Sequence, residues 1–428
     1  NSVKKALRDE TIKRQGHLRL VPPQSKKIPS DFEGLRSSII SLTQDLTRLK
    51  SQGGIDSQTQ IVEYLASWLE ERGLAVERIQ DESSSEKHKN LGVCAEIGSG
   101  DGPIYLVTAC LDTAPFGSIA DWGSNPTSGF LDHKGFLYGR GTADSKVAVA
   151  IFSHLMVSLK NMPLNGNLVF LADSDEHSGR FGAIKHLVEK RLAGKISGAY
   201  IGYPGFETIK IGARGFYRSQ INFYGSASHT GSSTKSVDNA IDKAVDFAAV
   251  LNAYSLPCSD DPKFPYCPKV TITSFEGGNG SYSIVPDRCT IKIDVRLTPA
   301  FDKKCARDML LSLIKMNNQK FMGRKATISN ESSWPAYRIP EKTDVVSALR
   351  YATRENLGKT LNLKVCGPSN VGNYLAANGI PAVCGFGVGY SGLHAPDENI
   401  DTETILPVYK SYHEALGRLL SVSSKYSD

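Results

Sequence analysis

Residues 59–72 (TQIVEYLASWLEER) set Ile61, Val62, Leu65, Trp68 and Leu69 on one helical face, and Gly73 follows as a stop. Uninterrupted apolar runs at 104–109 (IYLVTA), 167–173 (NLVFLAD) and 199–202 (AYIG) read as buried strands. The segments 147–159 and 182–192 read as helices between them, and the chain closes with a strand at 382–387 and a helix near 405–421. Strand and helix in alternation imply an α/β domain with a mostly parallel sheet covered on both faces. From about 213 the pattern changes. RSQINFYG, KVTITSF, CTIKIDVRL and ATISN alternate polar with apolar positions, with helices near 237–253 and 302–316. Alternation of this kind marks an antiparallel sheet with one buried face, so a separate α+β domain is predicted to interrupt the first. The expected segments are an arm at 1–30, first-domain parts at 31–212 and 331–428, and the inserted domain at 213–330.

Charge changes this picture only at one end. The net charge of +6 resides in residues 1–27, which hold eight basic and two acidic residues. The arm reads as a solvated tail, a targeting remnant or a swapped arm, and a start at Asn1 suggests that a segment before it is missing. The neutral body carries no electrostatic footprint for nucleic acid. No uncharged apolar run approaches the ~20 residues that span a bilayer, so no membrane partner is expected. Eight cysteines without a CxxC pair read as reduced residues of a cytoplasmic protein, with Cys258 and Cys267 near enough to pair under oxidising conditions.

In an open parallel sheet, functional groups gather at the carboxyl ends of the strands. Asp112 follows the strand at 104–109, and Asp144 stands in GRGTADSK before a helix. Glu176 and His177 follow the strand at 167–173, Tyr203 the strand at 199–202, and His394 the strand at 382–387. One such Asp would read as a helix cap; five strand or loop ends with ligand-type residues indicate a site.

YGRGTADSK, DSDEHSG, SASHTGSS, KIDVRLTP, GPSN and SGLHAPDEN stand in the order of the motifs of the M20 family of aminoacylases, carboxypeptidases and deacylases, which the chain resembles over about residues 35–425. The resemblance implies a catalytic α/β domain holding two zinc ions and a ferredoxin-like lid that forms a homodimer. It implies Glu176 as general base, Asp112 as support for a metal ligand, and His229 as a lid donor reaching a neighbouring active site. Arg296 would grip a substrate carboxylate, with Ser369 and Asn370 in a substrate-binding loop. The chain departs from the family where His-x-Asp becomes Cys110-Leu111-Asp112, where Asp-Glu-Glu becomes Asp175-Glu176-His177, and where Tyr203 replaces an acid before proline. In family terms one metal position would then fall on Cys110, Asp144 and Tyr203, and a phenol with pKa near ~10 is a reluctant ligand. The other falls on Asp144, His177 and His394, a set suited to one zinc with an open coordination position, to another divalent metal, or to none.

The leading expectation is therefore hydrolysis of an amide bond in a small N-acyl amino acid or dipeptide bearing a carboxylate. Cys110 and Tyr203 would then line the substrate. Two alternatives keep the fold. One is a metal-independent acyl transferase, cyclase or amide-forming enzyme, with Cys110 as a conceivable nucleophile beside a histidine. The other is a binding protein without catalysis.

Overall fold

The computed structural model describes residues 31–81, 89–98, 100–233 and 238–420, so the basic arm lies outside the described residues. Two compact units emerge. The first comprises residues up to Ile211 together with Ile339–Lys364 and the segment from Asn378 onward. The second comprises Gly212–Arg338 and Val365–Ala377.

The first unit begins with α1 (Phe32–Arg48), whose N-cap Asp31 accepts from the Gly34 N–H, and α2 (Thr59–Glu70). Strands β1 (Val76–Gln80), β2 (Asn90–Gly98) and β3 (Ile104–Cys110) follow, then α3 (Val147–Leu159), β4 (Asn167–Asp173) and β5 (Ile196–Ile201). The six-stranded sheet runs β1-β2-β4-β3-β5 and ends on the short strand Ala382–Val383. β3 pairs parallel with β4 and β5, and β5 parallel with Ala382–Val383; β1–β2 and β2–β4 are antiparallel. The sheet is thus mixed, with its parallel part at the centre. Every residue of β4 is buried, and so is every residue of α3 from Val147 to Met156. Burial on all sides is why both read as continuous apolar runs rather than as amphipathic patterns. The strand expected over 382–387 closes after Val383, and the helix expected over 182–192 forms two short turns, Gly182–Lys185 and His186–Arg191.

The second unit holds β6 (Gly215–Tyr224), α4 (Ala240–Ala253), β7 (Lys269–Gly277), β8 (Arg288–Leu297), α5 (Lys303–Lys320) and β9 (Thr327–Trp334). Its antiparallel sheet has the order β7-β8-β6-β9. Asn239 caps α4 and Asp302 caps α5, each accepting a first-turn N–H. Alternation on β8 sends Ile291, Ile293, Val295 and Leu297 into a core with Phe247 and Leu251 of α4 and Leu310 and Ile314 of α5. Lys292, Asp294 and Arg296 therefore fall on the opposite face of the sheet.

Cys258 and Cys267 form a disulfide with a Cα separation of 4.7 Å, the pairing that their spacing left open; the other six cysteines are not disulfide-bonded. Among the described residues no helix is long and apolar enough to cross a membrane.

Candidate active site and metal centre

The first unit brings together Cys110, Asp112, Asp144, Glu176, His177, Tyr203 and His394. Cys110 is the last residue of β3, and Leu111 stays tied to the neighbouring strand end through its N–H to the Asp173 carbonyl. Asp112, fully buried, accepts the Glu176 N–H at 3.2 Å and the His177 N–H at 2.7 Å, so its carboxylate fixes the turn after β4. Asp144 sits in the turn entering α3, with φ −123° and ψ 87°. It meets His394 (Oδ2 to Nε2, 2.9 Å) and His177 (Oδ2 to Nε2, 3.5 Å). His394 itself has φ 60°, a left-handed conformation uncommon for a residue other than glycine and concentrated at functional sites.

A buried ion pair holds these loops in place. Glu398 Oε2 lies 2.6 Å from Arg140, and both side chains are almost wholly buried. The other oxygen of Glu398 accepts the N–H groups of Gly141, Ala143 and Asp144, while Arg140 donates to the His394 carbonyl. Glu398 and Arg140 thus join the Asp144 turn to the His394 loop. Reasoning from the strand ends alone passed over both, although they stand inside GRGTADSK and SGLHAPDEN. Lys146, buried, donates to the Leu46 and Leu49 carbonyls at the end of α1. Trp122 packs under Arg140 and donates to the Phe116 carbonyl, as a packing residue should.

The electrostatics follow from confinement. Burial is the largest influence on Glu176 and lifts its carboxyl to about 7; Tyr203, which donates to Oε1 at 2.7 Å, opposes that rise. Burial also opposes ionisation of Asp144, but hydrogen bonds from His177 and His394 outweigh it and hold the carboxyl below the usual range. Burial pushes the Cys110 thiol well up, and its Sγ rests 3.1 Å from Ser145 Oγ and 3.6 Å from Asp144 Oδ1.

The second unit assembles a separate cationic groove of ≈ 580 Å³, lined by Arg214, Arg218, Lys269, Lys292 and Arg296 with Asp294 and Glu331. Arg296 pairs with Asp294 at 2.7 Å and donates to Ser369 Oγ at 3.2 Å. Ser369 in turn donates to the Arg214 carbonyl, and Arg214 is clamped by the Gly367 and Cys267 carbonyls over the Tyr266 ring. Arg214 escaped the sequence reading, since one arginine in GARG carries no signal by itself. Asn370 spends its amide oxygen on the Gly372 N–H. His229 is exposed, with Nδ1 accepting the Gly231 N–H at 3.0 Å.

Carboxylates and imidazoles converging at strand ends make a centre able to bind a cation and move a proton. Residues 106–418 match Peptidase family M20/M25/M40, so the chain belongs to that family and is an M20-type hydrolase. Over 393 residues it is 26% identical to succinyl-diaminopimelate desuccinylase of Wolinella succinogenes, covering 90% of this chain and 100% of that one. A tripeptidase of Staphylococcus aureus shares the fold at TM-score 0.70 and 20% identity, over 90% of this chain and 98% of the other. So does a Bacillus subtilis M20-family peptidase described as dinuclear metal-binding, at TM-score 0.65 and 16% identity, over 91% and 100%.

The family is metal-dependent, which makes the donor atoms of this chain the test. Donor atoms of Asp144, His177 and His394 lie within 4.8 Å of one another. A zinc ion with ligands at about 2.0–2.1 Å needs tetrahedral neighbours roughly 3.3 Å apart, close to the 3.5 Å between His177 and Asp144. This set fits one ion. Cys110, Asp112 and His177 also converge within 4.8 Å, but the two sets share His177, and both Asp112 oxygens already accept backbone N–H groups.

Proposed function

We propose that this hydrolase cleaves an amide bond in a small N-acyl amino acid or dipeptide, using one divalent metal ion, zinc first, at Asp144, His177 and His394 with Glu176 as general base. The observation carrying this reading is the convergence of those three donor groups beside Glu176, whose Oε2 lies 3.3 Å from His177 Nδ1. Asp144, His177 and His394 would hold a divalent ion, which would supply Lewis-acid polarisation of the scissile carbonyl and a more acidic water. Glu176 takes the proton of that water and passes it to the departing nitrogen, while Asp112 keeps the 176–177 turn in place through two N–H bonds.

Substrate recognition falls to the second unit. Arg296 offers a guanidinium to a substrate carboxylate, with Ser369 and Asn370 shaping the loop beside it. His229, exposed on its loop, serves as donor to the developing oxyanion. The four-stranded sheet with two helices on one face has the make-up of a ferredoxin-like lid, and a homodimer in which the lid supplies His229 to a neighbour belongs to this reading. Cys110 is not assigned as a nucleophile, because burial keeps its thiol protonated.

Elemental analysis joined to a chelation assay tests the reading. One equivalent of metal, and release of amine from N-acyl amino acids that stops on chelation and returns with zinc, is the expected result. Metal-free protein, or turnover indifferent to chelation, would overturn it.

A further inference from the structure

We infer that Tyr203 and Cys110 replace a second cation by hydrogen bonds, and that Tyr203 is the positioning residue that orients Glu176 for its task. The inference rests on the single-ion reading above and adds what stands where a dinuclear centre would hold its other ion.

Tyr203 leaves the end of β5 in a loop with little freedom. Gly205 and residues 387–388 exchange hydrogen bonds, Gly205 N–H to the Val388 carbonyl and Gly387 N–H to the Gly205 carbonyl. The backbones meet so closely that a Cβ on Gly387 would lie 2.5 Å from the Tyr203 carbonyl oxygen, and one on Gly202 would lie 2.4 Å from Ala148 Cβ. The space beside Tyr203, lined by Phe152, Phe386, Val408 and Tyr412, amounts to only ≈ 10 Å³. The partly buried Tyr203 is thus confined on that side, and its O–H is delivered to Glu176 Oε1 at 2.7 Å.

The chemistry of the two substitutions is the same. An acid at 203 would set a second carboxylate against Glu176, a repulsion that a cation between them must relieve. A phenol, neutral at pH 7, instead gives Glu176 a proton to share. Cys110, likewise neutral at its ordinary pKa, points its S–H at Asp144 Oδ1. Each carboxylate that would face the second ion already has a neutral donor. With Oε1 of Glu176 engaged by the phenol, Oε2, 3.3 Å from His177 Nδ1, is the oxygen that accepts the proton of water.

The full chain, loaded with zinc and dialysed, reports on this by metal count. Wild type should hold one ion per chain. Tyr203→Phe should keep that one ion but lose kcat by about 10–100-fold at nearly constant KM, because only the orientation of the base is lost. The Cys110→His/Tyr203→Asp double variant should gain a second ion. Two ions on wild type, or one on a double variant whose melting curve is intact, would overturn the inference and leave the proposed reaction standing. A wild type without metal would take down both. Should the double variant not fold, full kcat in Tyr203→Phe would still refute the role given to its hydroxyl.

Discussion

The two units solve the problem of burying a sheet in opposite ways, and their chemistry sits in different places as a result. In the first, β3 and β4 are buried on both faces, leaving no face free for polar groups. Its reactive residues gather at the strand ends and the adjoining turns, where Asp112 and Asp144 are buried and Glu176 and His177 partly so. In the second, β8 alternates: Ile291, Ile293, Val295 and Leu297 face the core, while Lys292, Asp294 and Arg296 share the opposite face, with Lys292 exposed, Arg296 partly buried and Asp294 buried under its arginine partners. Acids concentrated at strand ends suit a cation; bases spread along an open face suit an anion. The burial pattern of a strand thus already says where its chemistry can be.

The sharpest way to break this division is to remove the base at the strand end. Glu176→Gln keeps the shape and the hydrogen bond from Tyr203 but cannot take a proton. It is expected to lower kcat by about 10²–10⁴-fold with metal content and melting temperature unchanged. A loss of metal instead, measured on the same preparation, would move Glu176 from proton transfer to ion binding.

On the second unit, adjacent residues of one strand should behave in opposite ways. Ile293, almost fully buried between sheet and helices, should cost about 2–5 kcal/mol of unfolding free energy as Ala. Lys292→Ala, one residue away on the open face, should stay within about 0.5 kcal/mol. Denaturant titrations of the two variants giving equal losses would show that the groove face is covered.

A buried histidine sharpens the contrast from the first unit. His154 on α3 hydrogen-bonds the Ala150 carbonyl and Ser38, and burial depresses its pKa from 6.5 to about 4. The unfolded chain therefore binds a proton between pH 6.5 and 4 that the folded chain refuses. Stability is full above 6.5 and falls as pH drops toward 4, by up to about 3 kcal/mol. In His154→Gln that component of the pH profile should vanish; an unchanged acid limb would place its origin elsewhere.

How much of this could be read from sequence follows from the same physics. Strands β3, β4 and β6 to β9 were legible because continuous or alternating apolar residues leave few other interpretations. β1 (VERIQ) was not, since a short strand at the sheet edge buries only Ile79. The strand near 382 was expected too long because CGFG continues the apolar run while its backbone departs from the sheet. The ligand-type residues of the first unit were visible as the polar residues that end apolar strands. Glu398 and Arg140 were harder: they act on backbone N–H and C=O groups, and nothing in a residue's type announces that its partners are main-chain atoms far away in sequence. The Cys258–Cys267 bond was legible only as a spacing, because pairing depends on the compartment as much as on geometry.

The smallest expected effect tests the open face as a binding surface. Arg296 has two competing occupations: a structural pair with Asp294 at 2.7 Å, and the grip on a substrate carboxylate. Asp294 is also paired with Arg218 at 3.1 Å, so loss of Arg296 does not strand a lone buried acid. Stability should therefore change little in Arg296→Met. What should change is KM for carboxylate substrates, by about 10–30-fold with kcat held, since a charge-assisted hydrogen bond is worth about 1.5–3 kcal/mol, of which part is kept by Arg214 nearby. Arg296→Lys should recover only part of the loss, because an ammonium cannot present the two parallel N–H groups of a guanidinium. A substrate whose carboxylate is amidated supplies the control: it should bind wild type and Arg296→Met alike, and a KM difference that persists without the carboxylate would assign Arg296 to the sheet rather than to the substrate.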